Sequence, residues 1–300
     1  MSLQGRSHIS KGKPCQDSSH ASRLNETWST AIIADGVGSC KYSDQSSATA
    51  VAEVLSIFQD HLDYLDDKKK ILDLIKKSFQ SAYNAVAKLS IDQGNPLDEY
   101  DTTLSVVLYD GDDVYYGHSG DGGIIGLHDD GKYEKITEPQ KGDDGISVLP
   151  LRSIDTWVFG STKNISSVLL ATDGVYDTFF PYLIQMNKVK IYVPLISYYM
   201  DNNDINISEE NEASIGAEIE QFLLSDSCSS ITDDMTVAVL INSEKMPKRM
   251  PDWYYEEPDW EKLKDAMSTK MYPPEKPIRP PVIRSKQHKK RNKRWSHKKR

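Results

Sequence analysis

Two apolar runs, far apart in the chain, break off at the same dipeptide. Ala31-Ile32-Ile33-Ala34 runs straight into Asp35-Gly36, and Ser167-Val168-Leu169-Leu170-Ala171-Thr172 runs into Asp173-Gly174. Short apolar runs of this kind read as buried strands, so each carries a carboxylate at its end. The glycine lets the backbone turn sharply and lets a ligand come close. A third acidic pair, Asp233-Asp234, directly precedes the apolar run Met235–Ile241. A fold that brings three such strand ends to one edge brings the carboxylates together. Like charges that close repel unless a cation lies between them, and oxygen donors suit a hard divalent ion.

The chain has 300 residues, enough for one large domain or two small ones. Its net charge of -9 is unevenly spread. Ten of the 36 Lys and Arg fall between Arg284 and Arg300, where no acid occurs, so the first 283 residues set 26 basic against 45 acidic side chains. An acidic body suits a metal site and argues against binding nucleic acid through that body. Cys15, Cys40 and Cys228 are odd in number and lack CxxC spacing, which fits a reducing compartment without a disulfide framework. The first residues hold no apolar signal-peptide core, and no run of about 18 apolar residues suggests a membrane span. The expectation is a soluble cytoplasmic protein.

Along the chain, strands are expected over residues 4–9 and 27–34, with a polar loop containing Asp17 between them. Ala48, Val51, Leu55, Phe58 and Leu62 recur at helical spacing, with Ser43 or Asp44 as N-cap. A second helical stripe follows at Ile71, Ile75, Phe79, Ala82, Val86 and Leu89. Asp110–Asp113 and Asp129–Gly131 read as hairpin turns between strands at 104–109 and 114–118, and at 122–128 and 133–136. A weaker strand is expected at 156–159 and strong ones at 167–172 and 236–241. Residues 175–200 read as helical, 201–212 as a polar loop and 213–224 as a helix. Two domains are expected: 1–243 as the catalytic body, and 244–300 as a Pro- and aromatic-rich linker with a basic tail. The pattern of elements indicates an α+β layered domain.

The carboxylates stand in a recognisable series: Cys15-Gln16-Asp17, Ala34-Asp35-Gly36-Val37-Gly38, Asp101-Thr102-Thr103, His118-Ser119-Gly120-Asp121-Gly122-Gly123, Ala171-Thr172-Asp173-Gly174 and Thr232-Asp233-Asp234-Met235-Thr236. In order and context this series resembles the metal-dependent protein phosphatases of the protein phosphatase 2C type, in their bacterial-like form, over about residues 4–242. The fourth and sixth motifs stand where that family has Gly-Asp-Ser-Arg and Asp-Asn-Met-Thr. The resemblance implies a four-layer α-β-β-α sandwich of two mainly antiparallel sheets flanked by helix pairs. It also implies hydrolysis of phosphoserine and phosphothreonine in proteins, by a hydroxide bridging two Mg²⁺ or Mn²⁺ ions. Asp35 would bridge the ions and the Gly36 carbonyl would add a ligand. Asp173 and Asp233 would complete one ion, making Asp35, Asp173 and Asp233 the catalytic acids. Asp121 with Asp173 would match a third metal site, and Asp17 would hold metal-bound water. A phosphorylated protein substrate and a cognate Ser/Thr kinase are the implied partners.

The sequence departs from the family at the phosphate-gripping end. Gly12 stands where the family has an arginine, leaving Arg6, His8, Lys11 and Lys13 as replacements, with Arg6 favoured. Val37 stands where some members carry a histidine acid. His8 and His118 otherwise read as structural histidines, and Asp143, Asp144 and Asp177 as solvated surface acids. The rival to an active phosphatase is a catalytically silent module of the same fold that binds phosphoproteins or acts as a scaffold. The basic tail adds docking to nucleic acid, acidic proteins or anionic lipid, against the plain alternative of a solvated end.

Overall fold

A computed structural model describes residues 1–185, 191–201 and 212–271 of the chain. The basic stretch 284–300, the proline-rich segment before it and most of the expected polar loop 201–212 lie outside the described residues. The chain divides into a unit spanning Met1–Asp259 and a second beginning at Trp260. In the second unit the described part is one helix, Trp260–Met271, with no buried residue. The first unit runs past residue 243 because Tyr254 stacks on Tyr133, with ring centroids 6.4 Å apart.

The first unit is built on two five-stranded antiparallel sheets. In one, β2 (Asp17–Arg23), β3 (Ser29–Asp35), β4 (Leu104–Tyr109), β5 (Val114–Ser119) and β8 (Val158–Thr162) lie side by side in that order. In the other the order is β1 (Ser2–Leu3), β10 (Met235–Ile241), β9 (Ile165–Ala171), β6 (Gly123–His128) and β7 (Tyr133–Lys135). The period-2 alternation of a strand divides each sheet's side chains between two faces. Ala31 and Ile33 of β3 meet Val168 and Leu170 of β9 in the core between the sheets. Ile32 and Ala34 face the other way, onto α2 (Ser43–Asp60) and α3 (Lys68–Gln93). On the opposite side Leu169 and Ala171 pack beneath α6 (Val193–Met200) and α7 (Glu212–Leu224). The result is the four-layer α-β-β-α sandwich expected from the sequence.

Three local readings differ. Residues 4–9, expected as a strand, contain α1 (Arg6–Lys11), which ends at Gly12 with φ +64 in the left-handed region. The Gly5 N–H is taken by Asp234 Oδ1 at 2.6 Å rather than by a neighbouring strand. The expected polar loop contains β2, a polar edge strand that pairs only with β3 in its sheet and therefore needs no apolar run. Residues 175–200 do not form one helix. α4 (Asp173–Tyr176), a 3₁₀ turn and α5 (Tyr182–Gln185) precede α6, because Pro181 disfavours helical geometry at Phe180.

Phe79 ties α3 to the sheet. It is fully buried, packs edge-on to Phe159 at 5.1 Å and Trp157 at 5.5 Å, and fills space left by Gly117. Phe79→Ala should destabilise the first unit by about 3–5 kcal/mol, read as a lower urea midpoint with the slope unchanged.

Candidate metal centre and active site

The antiparallel order brings six acidic positions to one end of the sandwich. Asp35 closes β3, and Asp17 opens β2 directly opposite it in the register. Asp121 sits in the turn where the chain crosses from β5 to β6. Asp173 follows β9 as the first residue of α4, and Asp233-Asp234 precede β10. Ligand-type oxygens of Asp35, Asp121 and Asp173 all lie within 4.8 Å of one another.

The backbone fixes these side chains in place. The Asp35 N–H donates to Thr103 Oγ1 at 2.8 Å, and its carbonyl accepts from the Thr103 N–H at 2.7 Å and from Thr102 Oγ1 at 2.9 Å. The Gly36 N–H donates to the Gln16 carbonyl at 3.1 Å, so the loop before Asp17 leans on the residue after Asp35. Neither Gly36 nor Gly174 has a positive φ. Space is what each requires: a Cβ at Gly36 would lie 2.5 Å from the Ser43 carbonyl oxygen, and one at Gly174 would strike the Asp234 carbonyl. Thr172 is a site residue that the sequence reading quoted but gave no role. Its hydroxyl donates to Asp17 Oδ2 at 2.8 Å and accepts the Thr236 N–H at 3.1 Å, which bonds one sheet to the other beneath the acids. The remaining oxygen, Asp17 Oδ1, is buried with no donor.

Burial and crowding raise the affinity of these groups for protons. Asp35 is pushed well above the usual carboxylate range, first by burial and then by Asp17, Asp173 and Asp121. Asp17 is raised to about 7, chiefly by burial. Asp173 is raised to about 6 by burial and by the charges of Asp121, Asp233 and Asp177. Asp121 is raised by burial and partly relieved by Lys141, whose Nζ lies 3.9 Å from its Oδ2. An oxygen-only donor set with an unpartnered buried carboxylate oxygen fits Mg²⁺ or Mn²⁺, and the cation would supply the charge these acids lack.

Asp233 stands slightly apart. Its charge reaches Asp173 and Asp121, but its side chain is 63% exposed and groups by distance with His8 and Asp234. The three residues expected to grip phosphate are also separated. The Arg6 guanidinium donates to the carbonyls of Leu224 and Ser225 at 3.2 and 3.1 Å. His8 is buried, with Nδ1 2.8 Å from Asp234 Oδ2. Lys13 is exposed, and its Nζ donates to the Gly38 carbonyl at 3.0 Å, three residues beyond Asp35. Lys11 is also exposed, while His118 is buried against Ser105 Oγ at 2.8 Å, as a structural histidine would be. Asp143, Asp144 and Asp177 are exposed.

A family model described as protein phosphatase 2C matches residues 4–209. No curated protein matches the sequence. Among solved structures, a bacterial serine phosphatase is similar at 14% identity and a TM-score of 0.59, covering 83% of this chain and 98% of its own. The serine/threonine phosphatase Stp1 from Staphylococcus aureus is 15% identical with a TM-score of 0.57, covering 80% of this chain and 92% of its own. The catalytic domain of the serine/threonine protein phosphatase PstP, in complex with two manganese ions, is 20% identical with a TM-score of 0.56, covering 80% of this chain and 94% of its own.

The raised acids make a pH prediction with a definite sign. In EDTA the folded chain holds protons on Asp17 and Asp173 that the unfolded chain releases above about pH 4. Their contribution to stability should therefore fall as pH rises from about 4 to 7. Saturating Mn²⁺ should offset that loss and raise the melting temperature most at the upper end of the window. Melting curves in EDTA and in Mn²⁺ across this range check both statements.

Proposed function

The chain belongs to the protein phosphatase 2C family, a metal-dependent serine/threonine phosphatase that uses Mg²⁺ or Mn²⁺, and on that premise we propose how and on what it acts. Its substrates are phosphoserine and phosphothreonine side chains of proteins. Two divalent ions would be held by Asp35, with the Gly36 carbonyl, Asp173 and Asp233 completing the set. Asp121 and Asp173 would offer a third position, and Asp17 would hold coordinated water. When bound, the ions supply activation of the attacking water and offset the charge of the phosphate. The observation that carries this reading is the convergence of Asp35, Asp121 and Asp173 within 4.8 Å at the end of the sandwich.

The residues themselves do the positioning. The Asp35 backbone is held, its N–H by Thr103 and its C=O by Thr102 and Thr103. The Thr172 hydroxyl holds Asp17 Oδ2, which leaves Oδ1 as the acceptor that would hold coordinated water by a hydrogen bond. Lys13 would meet the substrate phosphate, since it is exposed and rests on the loop that follows Asp35, and Lys141 is a second exposed cation beside Asp121. Lysine offers a point charge rather than the bidentate fork of an arginine, so it would hold the phosphate without orienting it. A Ser/Thr kinase acting on the same proteins would supply the substrate, in a cytoplasmic signalling role. The basic segment 284–300 would add an acidic docking partner or nucleic acid.

Hydrolysis of p-nitrophenyl phosphate should require Mn²⁺ or Mg²⁺ and vanish in EDTA. Asp35→Ala and Asp173→Ala should each lower kcat/KM by about a hundredfold or more, and wild-type rates in either would overturn the metal assignment. Lys13→Ala should raise KM for a phosphopeptide while Mn²⁺ affinity stays unchanged. Tight phosphopeptide binding without phosphate release would instead identify a silent binding module.

A further inference from the structure

Asp234 stands at the position where the family pattern has a neutral asparagine, and the chain surrounds it with polar groups from two segments far away in sequence. Its Oδ1 accepts the Gly5 N–H at 2.6 Å, and its Oδ2 accepts the Gln16 N–H at 2.6 Å. His8 Nδ1 lies 2.8 Å from the same Oδ2, buried and off the line of a hydrogen bond. Asp234 and His8 are 3% and 5% exposed, so the carboxylate is out of water and faces the imidazole. The docking is tight. The Ser7 N–H donates to the Thr232 carbonyl at 2.8 Å, and a Cβ at Gly5 would strike the Asp233 backbone.

The cluster reaches the metal centre in two directions. His8 Nε2 lies 3.8 Å from Asp233 Oδ1, and that same oxygen accepts the Asp234 N–H at 2.9 Å. In the other direction Gln16, whose N–H is fixed by Asp234, passes its carbonyl to the Gly36 N–H and carries Asp17 as its next residue. One carboxylate thus holds both the segment bearing Asp17 and the loop bearing Asp233.

We propose that His8 and Asp234 form a buried polar latch that positions Asp233 and the Gln16–Asp17 segment for divalent-cation binding. His8 is then a positioning residue that acts through Asp234, and it does not meet the substrate. The acid at 234 offers one acceptor oxygen to each of the two backbone N–H groups, and His8 stands against the second of those oxygens. Changing either residue alone leaves the other without its complement.

The latch rests on the proposed metal centre, and a double-mutant cycle on Mn²⁺ affinity, measured by equilibrium dialysis with the full chain, separates the two. His8→Ala should weaken Mn²⁺ binding about ten- to hundredfold, the usual range for partners that orient ligands. His8→Asn, which keeps a donor near the Nδ1 position, should recover part of the loss. The double variant His8→Ala with Asp234→Asn should bind Mn²⁺ several-fold more tightly than His8→Ala, because it removes the buried carboxylate that the imidazole faces. If His8→Ala does not fold, folding of the double variant is itself the expected rescue. Wild-type affinity in His8→Ala, or a double variant no better than the single, overturns the latch while leaving the metal centre standing. Failure of the unmutated chain to bind Mn²⁺ overturns both.

Discussion

Four carboxylates held together in a half-buried space repel one another, and most of the geometry at this end of the sandwich keeps them from relieving that repulsion. Asp35 has both backbone groups committed to Thr102 and Thr103. Asp17 is held by a hydroxyl that is itself held by the opposite sheet. With the Asp35 backbone and the Asp17 side chain held in this way, two remedies relieve the repulsion: take up protons, or take up a cation. The raised affinities of Asp17, Asp35 and Asp173 for protons express the first. The second returns the electrostatic cost as binding free energy, so the strain of the site and its affinity for Mg²⁺ or Mn²⁺ are one quantity seen from two sides.

The Thr172 hydroxyl bond shows why a sandwich suits this task. Asp17 and Asp35 belong to one sheet, whereas Asp173 and Asp233 flank strands of the other. No single sheet could surround an ion with these acids. Two sheets can, provided their ends are locked in relative position. The apolar core between them, with Ala31 and Ile33 against Val168 and Leu170, sets the spacing. The Thr236–Thr172–Asp17 chain of hydrogen bonds then fixes the alignment where the acids are. The glycines permit this closeness. Gly36 and Gly174 adopt ordinary backbone angles, yet neither has room for a methyl group. The repeated Asp-Gly signature therefore records close backbone approach at the site, and only secondarily a turn.

The parts legible in the sequence were those that an apolar period or a repeated motif announces. The strands at Ser29–Asp35 and Ile165–Ala171, the two long helices and both hairpins bury regular faces, and regular burial leaves a regular pattern. β2 was invisible because a polar edge strand has little apolar side to show. α1 was misread because its helical turn depends on Gly5 meeting Asp234, a residue 229 positions away. The same distance hid the meaning of Asp234 and of His8. Asp234 reads as half of an acidic pair and His8 as a phosphate contact or a structural histidine, and only the fold places them together in a buried site. Long-range polar pairs carry no local period, and only the folded chain reveals them.

The departure at Gly12 takes on a different sense beside these contacts. Gly12 ends α1 in a left-handed conformation that side-chain-bearing residues adopt reluctantly. The short helix it terminates carries His8 to Asp234 and returns the chain to Gln16. An arginine at that position would gain a phosphate fork and strain the turn that closes the latch. Lys13, the residue after that turn, lies exposed and donates to the Gly38 carbonyl. Under the proposed function it would meet a phosphate as a point charge, and orientation would fall to the cations and to the backbone that holds Asp35.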